Sequence, residues 1–163
     1  MLINMLPSLV LMKYVLQGFA PEELKHSWLP RIAAGEALVV LAHQERGLRY
    51  HLENCHTTAS ENNGVWHVSG HKSLVAAGDH AHAFLVPAQY QGQIAMFLVP
   101  RSAATDTSHS YHAQDGSRMS ELLLNNAPAE LLTLQGLAAL QLGVDVGIAA
   151  LCAESVGLME KTL

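Results

Sequence analysis

The sequence predicts an α+β fold: an antiparallel, barrel-like β domain flanked by helical segments. Three observations carry this. The chain opens on dense apolar residues without strand alternation, its middle is a series of short apolar runs cut by Gly, Asn and Asp, and from about Gly136 the apolar residues recur at helical spacing. The expected division is residues 1–36 for the end of an N-terminal helical unit, 37–128 for the β domain, and 129–163 for the start of a second, truncated helical unit.

The first segment, Leu2 to Gln17, reads as a helix. A second begins at Ala20-Pro21-Glu22-Glu23, with proline at the front and acids in the first turn, and ends at Gly35, which suits a helix C-cap. Ala37 to Ala42 is a continuous Val- and Leu-rich run of buried-strand character, followed by a polar loop containing Gly47. Glu61-Asn62-Asn63-Gly64 then forms a turn ahead of Val65-Trp66-His67-Val68, a hairpin signal. Ser69-Gly70 reads as a break ahead of a short strand at Ser73 to Ala77, and Gly78-Asp79 as another ahead of a strand at His82 to Ala88. Ile94 to Val99 gives a further strand stopped by Pro100, and Ser120 to Leu124 a last one after the Asp115-Gly116 turn. Strands at such close intervals point to a sandwich or barrel rather than a βαβ sheet. Beyond them Leu140, Val144, Ile148, Leu151, Ser155 and Leu158 form one stripe of a long helix.

Composition narrows the function. Half of the 163 residues are apolar and 14% are charged, so part of the surface is expected to be an interface. A net charge of −5, with nine Lys and Arg scattered along the chain, leaves no basic stripe and excludes nucleic acid as a partner. Cys55 and Cys152 belong to no paired motif, which fits a reduced, cytoplasmic protein. No positive charge precedes the first apolar stretch and Pro7 interrupts it, so no export signal is expected. Gln135, Gln141 and Asp145 inside the segment Leu131 to Ala153 favour a packed helix over a membrane span.

Two segments carry a family resemblance. Leu29-Pro30-Arg31-Ile32-Ala33-Ala34-Gly35-Glu36 closes the first helical unit, and Gly64-Val65-Trp66-His67-Val68-Ser69-Gly70-His71-Lys72 sits in the hairpin. Together they resemble the acyl-CoA dehydrogenase family, in its "LP-x-[IL]-A-x-G-E" and "G-x-W-x-[LV]-x-G-x-K" segments. Within that family, Arg49-Tyr50, Gln114-Asp115-Gly116 and Leu151 to Glu160 are most similar to small subunits of pimeloyl-CoA dehydrogenase. The resemblance spans nearly the whole chain but less than half of a typical member.

The resemblance implies α,β-dehydrogenation of an acyl-CoA thioester with FAD as cofactor, electrons passing to an electron-transfer partner, and assembly into a homo- or hetero-oligomer. In the family the catalytic carboxylate comes from the C-terminal helical domain, so no residue here is assigned as base. By position the flavin contacts would be Leu41, His43, Gln44, Arg49 and Tyr50 after the first strand, and Leu74, Val75 and Ala76 after the hairpin. The family loop Thr-Glu-Pro-Gly-x-Gly-Ser-Asp reads here Gln44-Glu45-Arg46-Gly47-Leu48-Arg49-Tyr50-His51, and the family's Trp-x-Thr reads Leu74-Val75-Ala76. Gln44, Arg46, Arg49 and Tyr50 therefore make close backbone approach to a phosphate harder, and a stacking ring and a hydroxyl are lost. Arg46 and Arg49 either replace amide contacts by charge-assisted pairing to a phosphate or are solvated. Tyr50 either lines the acyl pocket and cofactor edge or lids the core.

The ten histidines complete no metal signature, so no metal site is expected. Cys152 reads as a small buried hydrophobe. Gly143-x-x-x-Gly147 permits a close interhelical contact. Two functions follow from the resemblance: an incomplete acyl-CoA dehydrogenase subunit, or a non-catalytic, flavin-free binding or assembly subunit.

Overall fold

The computed structural model describes residues 6–48, 51–104 and 109–162, with side chains from residue 12 onward. Two helices lead in, α1 (Leu6–Phe19) and α2 (Glu22–Ala33). Glu22 and Glu23 lie in the first turn of α2 and Arg31 in its last, both favourable to the helix dipole. Gly35, at φ +74°, closes α2 in the left-handed conformation, with Glu36 N–H and Ala37 N–H both donating to the Arg31 carbonyl.

Among the described residues seven strands follow: β1 (Val39–Leu41), β2 (Thr58–Asn62), β3 (Val65–Ala76), β4 (Ala83–Tyr90), β5 (Gln93–Pro100), β6 (Ser110–His112) and β7 (Arg118–Thr133). The last helix, α3, spans Gly136–Thr162. β2, β3, β7, β5 and β4 pair in a ring that closes through Thr58 and Gln89, which makes a five-stranded barrel. β1 lies parallel to β4 beyond the reach of β2, and β6 pairs with the outer part of β7. Pro87 stands in β4 between the stretch paired to β1 and the bridge to β2, where its missing N–H breaks no ladder.

Strand alternation divides the core in two. Val40, Phe84, Val86, Phe97, Val99, Leu122 and Leu124 face into the barrel. Their neighbours Val39, Leu85, Met96 and Leu98 face outward, under Met12, Val15, Leu16, Trp28, Ala139 and Leu140 of the helices. β4 and β5 are thus buried on both faces, which is why they read as unbroken apolar runs.

Three local expectations are corrected. Ser69-Gly70 does not end a strand: β3 continues through it with a register shift, because Gly70 lets the chain pass Thr57 at a distance no side chain allows. The last strand does not stop at Leu124 but continues through Asn126, at φ +50°, and Pro128 to Thr133, pairing with β3 and then β5. The stripe on α3 is packed only in its first turns. Ile148, Leu151 and Leu158 are 54%, 54% and 63% exposed, and Cys152, expected to be buried, is exposed. By length and composition α3 would also suffice to cross a membrane.

Where α3 begins, Gly136 lies against the β5 backbone, and a Cβ there would fall 2.4 Å from the Ala95 carbonyl carbon. Alanine normally stabilises a helix relative to glycine by about 1 kcal/mol. Here Gly136→Ala is expected to destabilise by about 1–3 kcal/mol, as overpacking does, read as a lower urea midpoint at unchanged slope.

Candidate functional site

β1 delivers the chain to a loop that crosses the end of the barrel beside β3. Ser73 N–H donates to the Gln44 carbonyl at 2.8 Å, fixing the loop to the strand. Next to that bond lies a buried ion pair: Lys72 Nζ, fully buried, donates to Glu45 Oε1 at 2.7 Å. The same carboxylate accepts from Thr57 N–H at 3.1 Å, Thr57 Oγ1 at 2.7 Å and His56 N–H at 2.8 Å, and Cys55 Sγ lies 3.4 Å away. Nearly every acceptor position of Glu45 is therefore used, which a charge this far from water requires.

The electrostatics follow from that pair. Burial works to raise the Glu45 carboxyl, but the hydrogen bond and charge of Lys72, with Thr57 and His56, bring it down to about 2. His43 is pushed to about 4, first by its own burial and then by Lys72, so it is neutral at pH 7. Burial raises the Cys55 thiol, with Lys72 opposing and Glu45 adding, so this sulfur stays protonated at neutral pH.

Above the pair is a cleft of about 280 Å³ lined by His43, Gln44, Glu45, Cys55, Leu140 and Val144 among others. The structure thus brings together His43 and Gln44 of the residues the sequence nominated. Leu41 faces the helices instead, packed against the outer core. Leu74, Val75 and Ala76 lie outside this cleft, at a bulge where β3 loses register with β7 between Lys72 and Val75. Leu74 sits at φ +54° with its side chain 51% exposed, Val75 points into the barrel, and Ala76 is half-buried. Arg46 faces Glu121 at 3.6 Å. Arg49 and Tyr50 lie outside the described residues. Among the described residues no three His, Cys, Asp or Glu are grouped to hold a metal ion.

Glu45, Cys55 and Lys72 were not singled out from the sequence. A cue was there for Lys72: it lies four residues from the core residue Val68 on one strand, hence on the inward face, where a lysine demands a buried partner.

Of the solved structures similar to this one, a prolyl acyl carrier protein oxidase, AnaB, superposes with a TM-score of 0.89 at 21% identity, covering 98% of this chain and 46% of its own. Butyryl-CoA dehydrogenase from Megasphaera elsdenii gives 0.88 at 19%, covering 97% and 45%. The fold is that of the acyl-CoA dehydrogenase middle domain with helices at either end. Glutaryl-CoA dehydrogenase from Mycobacterium smegmatis, in complex with FADH2, shares 26% identity at a TM-score of 0.73, covering 86% and 39%. The chain therefore spans less than half the length of the acyl-CoA dehydrogenase-fold proteins it matches. No protein-family model matches the sequence, and no curated protein matches it.

The two depressed pKa values fix an acid limb. Glu45 contributes stability that is present above its unfolded value of 4.5 and lost as pH falls toward 2. His43, neutral when folded, is protonated first in the unfolded chain, so stability also falls between pH 6.5 and 4. Urea midpoints measured from pH 7 to 3 are expected to decline in both windows, and His43→Gln to flatten the upper one. Lys72→Met, which strands Glu45, is expected to cost about 3–5 kcal/mol at pH 7.

Proposed function

We propose that this chain is the β-domain portion of a flavin-dependent acyl-CoA dehydrogenase-type subunit, forming one wall of a site for α,β-dehydrogenation of an acyl-CoA thioester. One observation carries the proposal. The match extends over 86–98% of the chain, helices included, to proteins named for oxidising acyl-CoA or acyl-carrier-protein substrates, one of them holding FADH2.

The residues present fit a flavin as a packing surface. The register shift takes Leu74 out of the β3–β7 ladder and turns an apolar side chain to solvent beside Gln44, a ledge on which a flat ring can stack. Leu74, Ala76 and Gln44 would hold the ring by contact, and neither Leu74 nor Ala76 offers a hydroxyl to it. When bound, the flavin supplies the hydride acceptor. The cleft beside it suits an uncharged acyl chain, since His43 and Cys55 are neutral at pH 7 and Glu45 is neutralised by Lys72. Glu45, saturated with donors and held at about 2, is not a base for the α proton, and we assign that role to none of the described residues. Acyl-CoA substrate, an electron-transfer partner, oligomerisation and a cytoplasmic setting, which the free Cys55 and Cys152 support, are part of this reading.

The leucine and alanine at positions 74 and 76 favour a second reading, a flavin-free binding or assembly subunit. Equilibrium titration of FAD fluorescence separates the two. Saturable quenching is expected, weakened about tenfold or more by Leu74→Glu with the fold intact by circular dichroism. No saturable quenching with the native chain would leave two explanations, a flavin site that needs helices this sequence does not include or a flavin-free subunit, and would shift the weight to the second.

A further inference from the structure

We propose that Cys55 and Lys72 form a covalent, reducible bridge through one oxygen atom, from Cys55 Sγ to Lys72 Nζ, with dioxygen as the oxidant. Cys55 Sγ stands among four polar atoms: Glu45 Oε1 at 3.4 Å, the carbonyl oxygens of Pro87 at 3.3 Å and Thr57 at 3.5 Å, and Lys72 Nζ at 3.6 Å. Three of these are oxygen acceptors, inert toward an oxidised sulfur. The fourth is an amine nitrogen, fully buried and held by its 2.7 Å bond to Glu45. Burial keeps the thiol protonated and its oxidation slow, so the product is fixed by which group stands ready to trap the sulfur. Cys152, the other thiol, lies on the exposed part of α3, which leaves Lys72 as the trap.

The cleft supplies the route. Cys55 is half-buried and lines it, so a molecule the size of water reaches the sulfur, while Lys72 is sealed from solvent. Cys55 lies just ahead of β2 and Lys72 in β3, two strands paired with each other, so the backbones are held and the side chains alone close the gap. A direct sulfur–nitrogen bond would draw in the 3.6 Å contact furthest; an intervening oxygen asks for less movement. One dioxygen balances the step. Cys55 S–H and dioxygen give a sulfur-bound hydroperoxide. The Lys72 amine, its ammonium proton passed through Glu45 to solvent, attacks the sulfur-bound oxygen. The N–O bond forms, the O–O bond breaks, and the outer oxygen leaves as water with a proton from nitrogen. Sulfur and nitrogen each give up two electrons. The bridged nitrogen carries no charge, so Glu45 loses its counter-ion and the neutral cleft wall becomes anionic until four electrons from a dithiol restore the amine and the thiol.

Intact-mass measurement on the full chain tests this, and none of its readouts involves flavin or acyl-CoA, so it stands apart from the function proposed above. Protein purified without air and then held in oxygen-saturated buffer is expected to gain about 14 Da, one oxygen added and two hydrogens lost, and to return to its starting mass with dithiothreitol. With Lys72 in the bridge trypsin cannot cut after it, so residues 50–101 are expected to stay in one peptide until reduction. Cys55→Ser, close in shape and able to keep the same hydrogen bonds, is expected to abolish both signals, and Cys152→Ser to leave both. Three results would each overturn the proposal: a gain of about 16 or 32 Da at Cys55 with Lys72 still cut, which is sulfenic or sulfinic acid alone; a loss of about 2 Da, which is a direct sulfur–nitrogen bond; or an unchanged mass with Cys55 still open to maleimide.

Discussion

Everything at the open end of the barrel hangs on one buried ion pair. Lys72 belongs to β3 and Glu45 to the loop after β1, so the bond between them joins strands that do not otherwise share a continuous ladder. Glu45 also gathers the Thr57 and His56 amides, which lead into β2. A single carboxylate thereby sets where the long loop leaves β1 and where it re-enters the sheet. Ion pairs of this kind are weak as sources of stability and strong as constraints, because any conformation that separates the partners leaves a bare charge out of water. The lining of the cleft, from His43 to Cys55, inherits its geometry from that constraint, and its lack of net charge as well.

The second constraint is parity. β4 and β5 serve two cores at once: in β4 odd positions such as Leu85 turn to the helices and even ones such as Phe84 to the barrel, and in β5 the parity is reversed, Met96 and Leu98 facing the helices and Phe97 and Val99 the barrel. A one-residue slip would exchange the two sets, so the helices and the barrel are held in register by the same strands. Phe97 illustrates the result. It lies in the barrel core within 5.3 Å of Trp66, which is stacked edge-on with Tyr90 at the mouth.

Most of the architecture was legible because periodicity is local. The α2 start at Pro21-Glu22-Glu23, the Gly35 stop, the hairpin turn at Asn63-Gly64 and the helix after Gly136 each announce themselves within a few residues. The errors came where glycine, asparagine or proline serves a strand instead of ending it. Gly70 clears Thr57 and Asn126 takes a positive φ inside β7, and neither purpose is visible without the neighbour it serves. The site divides similarly. His43 and Gln44, nominated by the family resemblance, line the cleft, whereas the Glu45–Lys72 pair, 27 residues apart in sequence, becomes evident only when the barrel closes. Cys152 was misjudged because a stripe on a helix does not say how far the body beneath it extends.

Among the described residues β7 is the longest strand and the only one to pair with β3, β5 and β6, and it comes last in the sheet. During synthesis, then, β3 and β5 emerge with an unpaired edge each and keep it until residue 133 has cleared the ribosome. The barrel cannot mature strand by strand: it is a structure of high contact order whose closing piece arrives late. The β5 run from Ile94 to Val99, apolar and without charge, is the segment most exposed to mispairing in that interval. On this view the demand for a holding chaperone in the nascent chain is set by the position of one strand in the sequence, not by the stability of the finished fold.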